Sequence, residues 1–223
     1  LYGPNIYNGI WYHIAITRAS AVTRLYVNGQ QYGGVFTDTF DYGSSNYLTF
    51  GTSGNSPGTP YNNYYVSNFR VLKGRALYTT TTFTVPTTTL TPIANSTFLL
   101  QTLNANTAFN DSSLSPFAGT LTNNNTVTFN ANSPFGTTVG SYSFNGTNQR
   151  LNISSSSIIT GDHSIEAWIY PTAQFTYPYA SSTIICESNG TNTIAWALSL
   201  SASALTMQYQ LSGVITTISA TTF

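Results

Sequence analysis

Apolar residues along the chain fall in short runs, not at helical spacing. Runs rich in Val, Ile, Tyr, Phe and Thr are separated by Gly, Asn, Pro and Ser, the pattern of β-strands joined by turns. The pattern predicts strands at Trp11–Arg18, Thr23–Val27, Tyr47–Gly51, Val66–Leu72, Phe98–Leu100, Gly140–Asn145, Arg150–Ile153, His163–Tyr170, Thr183–Glu187, Ile194–Ser201, Leu205–Gln210 and Val214–Ala220. So many strands indicate an all-β sandwich or barrel.

Two stretches carry more specific signals. In "LYVNGQQ", Asn28 and Gly29 separate two strand-like runs. Both central residues of a type I′ turn need positive φ, which Asn and Gly tolerate, so we expect a hairpin there. In "ITGDHSIEAWIYP", apolar and polar positions alternate. One face takes Ile165, Ala167 and Ile169, and the other takes Ser164, Glu166, Trp168 and Tyr170, where the tryptophan predicts that this face is also partly covered.

The stretch from Leu77 to Leu100 has a different character. It contains two prolines and many threonines, and proline cannot donate to a central strand ladder. We expect this segment to run extended over the surface, with its course fixed by Pro86 and Pro92 and its end docked by the strand-like "STFLL". The polar, Asn-rich sequence that follows indicates a boundary near Leu103.

Composition narrows the choice of partners. Charged residues make up 5% of the chain and the formal net charge is zero, against about 25% charged residues in an ordinary soluble domain. Nucleic acids are bound largely by neutralising phosphates, so they are not expected partners. No run approaches the roughly 18 apolar residues of a membrane helix, so membrane insertion is not expected. Few charges also remove one protection against association of sheet edges, which favours assembly.

The single cysteine, Cys186, lies in the apolar run "SSTIICES". A lone cysteine excludes an intrachain disulfide. We expect its thiol to be a small buried group.

Several motifs together resemble a known family. "WYHIAITR" followed by "TRLYVNG" is similar to the central hairpin of laminin-G-like domains in the concanavalin A-like lectin/glucanase superfamily. "YYVSNFRVLKGRALYTTTTFTVPTTTLTPI" resembles the end of such domains, as found in tandem copies in phage fibre and bacterial surface proteins. "SYSFNGTNQRLNI" and "GDHSIEAWIYP" resemble their beginning. The resemblance implies an antiparallel jelly-roll β-sandwich.

The two family halves occur in reversed order. Residues 1–103 resemble the closing half and residues 104–223 the opening half, and the tail "GVITTISATTF" would read on into the head of the chain. Three explanations remain open: a window from a tandem array, a polymer repeat completed by its neighbours, or one circularly permuted sandwich over residues 1–223. We expect the halves to belong to consecutive sandwiches and not to complete each other within one chain, because half a sandwich cannot bury its inner faces.

The sequence favours a non-catalytic protein. Glycoside hydrolysis needs paired carboxylates, but Glu166 and Glu187 have no carboxylate two or four residues away within a strand, and Asp162 lies in a turn. His13 and His163 have no metal-ligand spacing, and we interpret His13 as structural. No G-x-S-x-G nucleophile elbow is present.

No cofactor is expected apart from the calcium that some laminin-G-like domains bind. Calcium takes about six to eight oxygen ligands. Asp38 and Asp41 form the one close acidic pair and are the candidate ligands. The alternative is that they sit in a hydrogen-bonded turn, and Asp111 is interpreted as the cap of another turn.

Two aromatic, amide-rich stretches predicted as loops are candidate glycan contacts, because sugars are held by aromatic stacking and by amide and hydroxyl hydrogen bonds. The candidate residues are Tyr61, Asn62, Asn63, Tyr64, Tyr65, Phe175, Tyr177 and Tyr179. The alternative is that these aromatic residues pack between neighbouring domains, where tyrosine is also enriched.

Together these features predict a structural repeat of an extracellular or virion fibre, built from laminin-G-like domains. The expected partners are neighbouring copies of the chain. The alternative is a glycan-binding adhesin or lectin-like module that recognises a neutral cell-surface glycan. The expected location is extracellular, at a cell surface or on a virion.

Overall fold

The structure is a computed structural model of the 223-residue chain. It describes residues 2–37, 39, 47–52, 63–106, 109–114, 120–137, 139–154, 159, 161–172, 182–188, 194–201, 204–211 and 214–218.

The described residues form β-strands joined by turns and extended segments. The strands are β1 Tyr2–Asn5, β2 Tyr12–Ala19, β3 Val22–Val27, β4 Gln30–Thr37, β5 Tyr47–Phe50, β6 Asn63–Lys73, β7 Ser96–Leu100, β8 Leu121–Asn124, β9 Thr128–Asn130, β10 Ser141–Asn145, β11 Arg150–Ser154, β12 His163–Pro171, β13 Ser182–Ser188, β14 Ile194–Ser201, β15 Ala204–Leu211 and β16 Val214–Ile218.

The strands build two antiparallel sheets. Sheet 1 has the order β1-β15-β14-β13-β5-β11-β8, with β16 also paired to β15, and sheet 2 has the order β4-β3-β2-β12-β6-β10-β9, with β7 also paired to β6. No helix occurs in the described residues. The two sheets confirm the predicted all-β antiparallel sandwich.

The hydrophobic core lies between the two sheets. Ile165, Ala167 and Ile169 of β12 are buried in it, which confirms the predicted alternation along this strand. Phe50 of sheet 1 meets Phe69 of sheet 2 edge to face, with 4.7 Å between the ring centres. Burying such side chains contributes about 1.5–3 kcal/mol each, so the facing sheets stabilise one another.

The predicted hairpin at Asn28 and Gly29 is confirmed. Both residues have positive φ, 49° and 76°, as a type I′ turn requires. The Asn28 side-chain oxygen accepts a hydrogen bond from the backbone N–H of His13, at 2.9 Å. The Asn28 side chain therefore ties the turn to the start of β2.

Residues 74–95 form an extended segment, here called the strap, that crosses the outer face of sheet 2. The Thr17 hydroxyl donates to the Tyr78 carbonyl at 2.6 Å, and the Leu90 N–H donates to the Asn68 side chain at 3.1 Å. Beyond the strap, β7 pairs with β6. The prediction of an extended crossing that ends in a docked strand is therefore confirmed, and the strap covers part of the outer face.

The two halves of the chain interleave in sheet 2. Strand β12, from the second half, pairs with β2 on one side and with β6 on the other, and both of those strands come from the first half. The expectation that the halves would not complete each other within one chain is therefore wrong for this structure, because β12 supplies the partner that both neighbours need. How residues 1–103 and 104–223 are divided among copies in a longer protein stays a prediction.

Strands β16 and β1 lie one after the other along a single edge of β15, here called the shared edge. Both run antiparallel to β15, with Ile218 opposite Met207 and Tyr2 opposite the next residue, Thr206. They therefore point in the same direction and occupy consecutive positions beside β15, where a single longer strand could also lie.

Candidate aromatic cleft

Three aromatic residues form a row on the outer face of sheet 2. The strand register places Tyr65 of β6 opposite Tyr170 of β12, and Ile169 opposite Tyr12 of β2. Tyr12 and Ile169 are buried in the core. Side chains alternate along a strand, so the adjacent Trp11 and Tyr170 face outward, as does Tyr65 beside Tyr170.

The three rings follow one another across adjacent strands. The ring centres of Trp11 and Tyr170 are 5.3 Å apart, and those of Tyr170 and Tyr65 are 5.6 Å apart. The Tyr65 and Tyr170 rings are stacked with only 22° between their planes. All three side chains are half-buried, so the row combines packed rings with surface open to solvent.

Polar groups border Tyr65 and Tyr170 and form with them an open cleft of about 380 Å³, here called the aromatic cleft. Its lining residues are Asn8, Gly9, Tyr65, Asn132, Tyr170 and Thr172. They come from the β1–β2 loop, the β9–β10 loop and the ends of β6 and β12.

Hydrogen bonds fix the walls of the aromatic cleft. The Trp11 indole N–H donates to the Asn132 side-chain oxygen at 3.4 Å. The Thr172 hydroxyl donates to the Asn63 side-chain oxygen. The Gly9 N–H donates to the Pro171 carbonyl at 2.9 Å, which holds the β1–β2 loop beside the row.

The aromatic cleft presents uncharged chemistry. Its lining residues carry amide, hydroxyl and backbone groups and no carboxylate or cation. Binding pockets commonly combine aromatic walls with a few polar groups that fix orientation. This combination suits a ligand with both apolar C–H faces and hydroxyl groups.

Of the predicted glycan contacts that the structure describes, two belong to or adjoin the aromatic cleft and one lies in the core. Tyr65 lines the aromatic cleft and Asn63 adjoins it. The assignment of Tyr64 is wrong: its side chain is 2% exposed and stacks on Phe144 in the core, because it alternates with Tyr65. Its hydroxyl donates to the Ile184 carbonyl at 2.7 Å, and burial raises its pKa well above the ordinary value.

Other predicted residues lie outside the described part of the chain and stay predictions. These are the glycan candidates Tyr61, Asn62, Phe175, Tyr177 and Tyr179 and the calcium candidates Asp38 and Asp41.

Sequence reasoning missed part of the aromatic cleft. Asn132 and Thr172 were not singled out, and Tyr170 was assigned only to the polar face of its strand. The alternation of β12 does place Tyr170 outward, but its neighbours across the sheet follow only from the strand register.

A second cluster of polar groups lies beneath the strap, around Glu166. The Glu166 side chain is 1% exposed. Its carboxylate accepts hydrogen bonds from the Arg70 Nε at 2.8 Å and the Tyr78 hydroxyl at 2.7 Å, and His13 Nε2 lies 3.1 Å away. Burial alone would raise the pKa of Glu166, but the bond with His13 and the charge of Arg70 outweigh it and hold the pKa below the ordinary value.

This buried cluster has a structural role. Glu166 joins β12 to β2 through His13, to β6 through Arg70 and to the strap through Tyr78. The Arg70 guanidinium also donates to the strap carbonyl of Thr91 at 2.7 Å. The position of His13 agrees with its structural interpretation.

The remaining acidic residues that the structure describes are also engaged in the fold. Asp111 accepts from the backbone N–H groups of Leu99 and Ser113, which confirms its role as a turn cap. Asp162 accepts from the Ser20 N–H at 2.8 Å. Glu187 accepts from the Trp196 indole at 2.6 Å in the interior.

Cys186 is buried, as predicted. Within the described ranges, no group of three or more His, Cys, Asp or Glu side chains is placed to hold a metal ion. Among those same residues, no helix has the length and apolar character needed to cross a membrane.

Comparison with known proteins supports a family relationship. Residues 3–80 match a laminin G family model described as the concanavalin A-like lectin/glucanases superfamily. No curated protein and no solved structure matches the chain. The match confirms the resemblance read from the hairpin motifs: over residues 3–80 the chain is similar to laminin-G-like domains of the concanavalin A-like superfamily, and the two antiparallel sheets agree with this similarity.

Proposed function

We propose that this chain is a non-catalytic, lectin-like module that binds neutral carbohydrate in the aromatic cleft. The observation that carries the proposal is the pair of Tyr65 and Tyr170, which line the cleft together with amide and hydroxyl groups, while Trp11 packs against Tyr170. A sugar ring has an apolar C–H face that stacks on an aromatic ring and an edge of hydroxyl groups that bond to amides. Both surfaces of such a ligand find partners in the cleft.

The absence of charge from the cleft lining supports a neutral ligand. A sulfated or sialylated glycan needs a cation to offset the loss of its hydration. None of the six lining residues supplies one. We therefore expect binding to depend only weakly on salt, because screening acts on charged groups.

The same lining supports binding without catalysis. A glycosidase places one carboxyl group as acid and another as nucleophile or base beside the bound sugar. None of the described residues that line the cleft carries a carboxylate, and the Glu166 carboxylate is buried in its ion cluster under the strap. Incubating the protein with the neutral glycans that it binds should release no shorter products.

The test of carbohydrate binding is a neutral and charged glycan array followed by titration calorimetry with the best ligand. Tyr170→Ala removes the central ring of the row and should weaken binding at least tenfold, which corresponds to about 1.4 kcal/mol. Tyr47→Ala is the matched control, because Tyr47 is also a half-buried tyrosine but belongs to sheet 1. A preference for charged glycans that high salt abolishes would contradict the proposal.

A second role is supported by a separate observation. We propose that the module also serves as one repeat of an extracellular or virion fibre, with neighbouring copies as partners. At the shared edge, β1 follows β16 along β15 in the same direction. A β1 strand from another copy could occupy the same position without changing the sheet, as in exchange of identical elements between protomers.

Cysteine pairing tests this role. Asn5 of β1 lies opposite Ala204 of β15, so an Asn5→Cys, Ala204→Cys variant can join them by a disulfide within one chain or between chains. If copies exchange β1, refolding at high concentration and oxidation should give disulfide-linked multimers on a non-reducing gel. Monomers alone at every concentration would remove the support for this role.

A further inference from the structure

The turn after β10 brings an asparagine and a glycine together at the surface. Asn145 ends β10 and is exposed, and Gly146 follows it with a positive φ of 68°. Glycine has no side chain to shield its backbone nitrogen, so this nitrogen can approach the side-chain carbonyl carbon of the asparagine before it. The pair is therefore a candidate for a reaction between a side chain and the backbone.

The Asn145 side chain folds over the backbone that follows it. Its Oδ1 accepts hydrogen bonds from the N–H groups of Thr147 at 2.9 Å and Asn148 at 3.2 Å, which draw the side-chain carbonyl towards the Gly146 peptide. The same two N–H groups are aimed at the oxygen that would become negative if a nucleophile attacked Cγ, and such donors lower a reaction barrier. Among the described residues, no acceptor is found for the Gly146 N–H.

Two other Asn-Gly pairs that the structure describes are held differently. The Gly9 N–H of the first pair donates to the Pro171 carbonyl at 2.9 Å and would have to release it before reacting. In the second pair, the Asn28 side-chain oxygen is bonded to the His13 N–H of the neighbouring strand. Gly29 of this pair is buried against the strap. The pair after β10 therefore has the arrangement that best favours reaction.

We propose that Asn145 is a site of self-modification, at which the chain converts an amide into a carboxylate without an enzyme. The Gly146 nitrogen loses its proton and bonds to Cγ of Asn145. The Cγ–Nδ2 bond breaks, and the leaving nitrogen takes up a proton and departs as ammonia. Water then opens the cyclic imide and leaves either aspartate or isoaspartate, and nothing is oxidised or reduced.

The product places a negative charge beside the aromatic cleft. Asn145 lies opposite Asn63 in the strand ladder, and residues paired in this way share a face of the sheet. The Asn63 side chain accepts the hydrogen bond of Thr172, which lines the cleft. Because the formal net charge of the chain is zero, one conversion makes the whole molecule negative, and separation by charge can count the converted chains.

The experiment compares the Asn-Gly pairs in the folded and the unfolded chain. The full chain is incubated at physiological temperature in mildly alkaline buffer, with and without urea, and peptide mass spectrometry with isoaspartate detection follows each asparagine. In the folded chain, Asn145 should convert at least about threefold faster than Asn8 or Asn28, roughly the factor that one hydrogen bond supplies. In urea the pairs should convert at similar rates, because only the local sequence then acts on them.

A variant assigns the reaction to this pair. Gly146→Asn keeps a residue that tolerates positive φ but adds a side chain beside the attacking nitrogen, so conversion at Asn145 should fall below that at Asn8. Asn145→Asp supplies the charge standard for the converted chain on an ion-exchange column. Denaturant unfolding checks that each variant keeps the sandwich.

Two results would overturn the inference. Equal conversion of Asn8, Asn28 and Asn145 in the folded chain would show that the turn after β10 gives no advantage. The same ratio of rates in urea as in the folded chain would show that the sequence, and not the fold, selects Asn145. Both results are independent of carbohydrate binding in the aromatic cleft.

Discussion

At the scale of single residues, the buried charge of Glu166 connects three separate segments of the fold. The Glu166 carboxylate is in contact with His13, Arg70 and Tyr78, which belong to two neighbouring strands and the strap. Placing a charge in the interior is costly unless it is paired and hydrogen-bonded. Removing one member therefore leaves the other groups buried without their partner, which lowers the stability of the fold.

Glu166→Gln should lower the free energy of unfolding by about 3–5 kcal/mol, the usual cost of breaking a buried ion pair. The reason is that Arg70, only 6% exposed, would keep its charge without a carboxylate beside it. Denaturant titration measures the change. Asp162→Asn is the control and should shift stability by about 0.5 kcal/mol or less, because Asp162 is half-exposed. Equal effects of the two substitutions would contradict this account.

The lowered pKa of Glu166 also predicts how stability depends on pH. A carboxyl group with a lower pKa in the folded state stabilises the fold fully above its unfolded pKa, here 4.5, and loses that contribution as the pH falls through the folded value. The stability difference between wild type and Glu166→Gln should therefore be constant near neutral pH and shrink below about pH 4.5. Unfolding titrations at several pH values test this, and a difference that grows on acidification would refute it.

At the scale of elements, the strap and the β3–β4 turn hold each other in place. The Phe83 N–H donates to the Gly29 carbonyl at 2.8 Å. Tyr78 and Phe83 of the strap stack with ring centres 3.5 Å apart. Gly29 has positive φ, and a Cβ at this position would overlap the Phe83 carbonyl oxygen. The turn therefore needs glycine for its backbone and for the approach of the strap.

Gly29→Ala should destabilise the protein by more than the about 1–3 kcal/mol that positive φ alone costs an ordinary residue. Gly34→Ala is the matched control, because Gly34 also has positive φ, at 71°, but no atom lies within 4 Å of its added Cβ. Urea unfolding of the two variants compares them. The excess cost of Gly29→Ala reports the overlap of the added Cβ with the strap, and equal costs would contradict the close approach of the strap to this turn.

At the scale of the whole molecule, the two halves share one sheet and one core. Strand β12 lies between β2 and β6, and the buried residues of both sheets form a continuous cluster. Strand β12 belongs to the second half of the chain and its partners β2 and β6 belong to the first, so neither half can form these two pairs alone. We therefore expect the chain to unfold as a single cooperative unit, although it is larger than most two-state domains.

Single-tryptophan variants test this expectation. One variant keeps Trp11, in the first half and beside sheet 2, and the other keeps Trp196, in the second half and buried in sheet 1. Fluorescence from the two should report the same denaturant midpoint, which should also match the midpoint from circular dichroism. Separate midpoints would show that the halves unfold independently.

Much of the fold could be predicted from sequence because it depends on local pattern. The alternation of Ile165, Ala167 and Ile169 fixes the inner face of β12, and the Asn28-Gly29 pair fixes a turn, without knowledge of the partners. Strands β1, β8 and β9 were not predicted, and β4 was implied by the hairpin but given no bounds, because these polar and glycine-containing sequences lack an apolar run. They are strands because neighbours in the sheets supply their hydrogen bonds.

The all-β class, the family resemblance, the extended strap and the neutral character of the chain could be predicted from sequence, since each follows from composition or from residues close in sequence. The role of β12 in joining the two halves, the opposite directions of Tyr64 and Tyr65, and the contacts of Trp11 with Tyr170 and Asn132 became known from the folded structure. These residues are far apart along the chain, and their contacts depend on strand register. A shift of one residue in that register would turn each side chain to the opposite face.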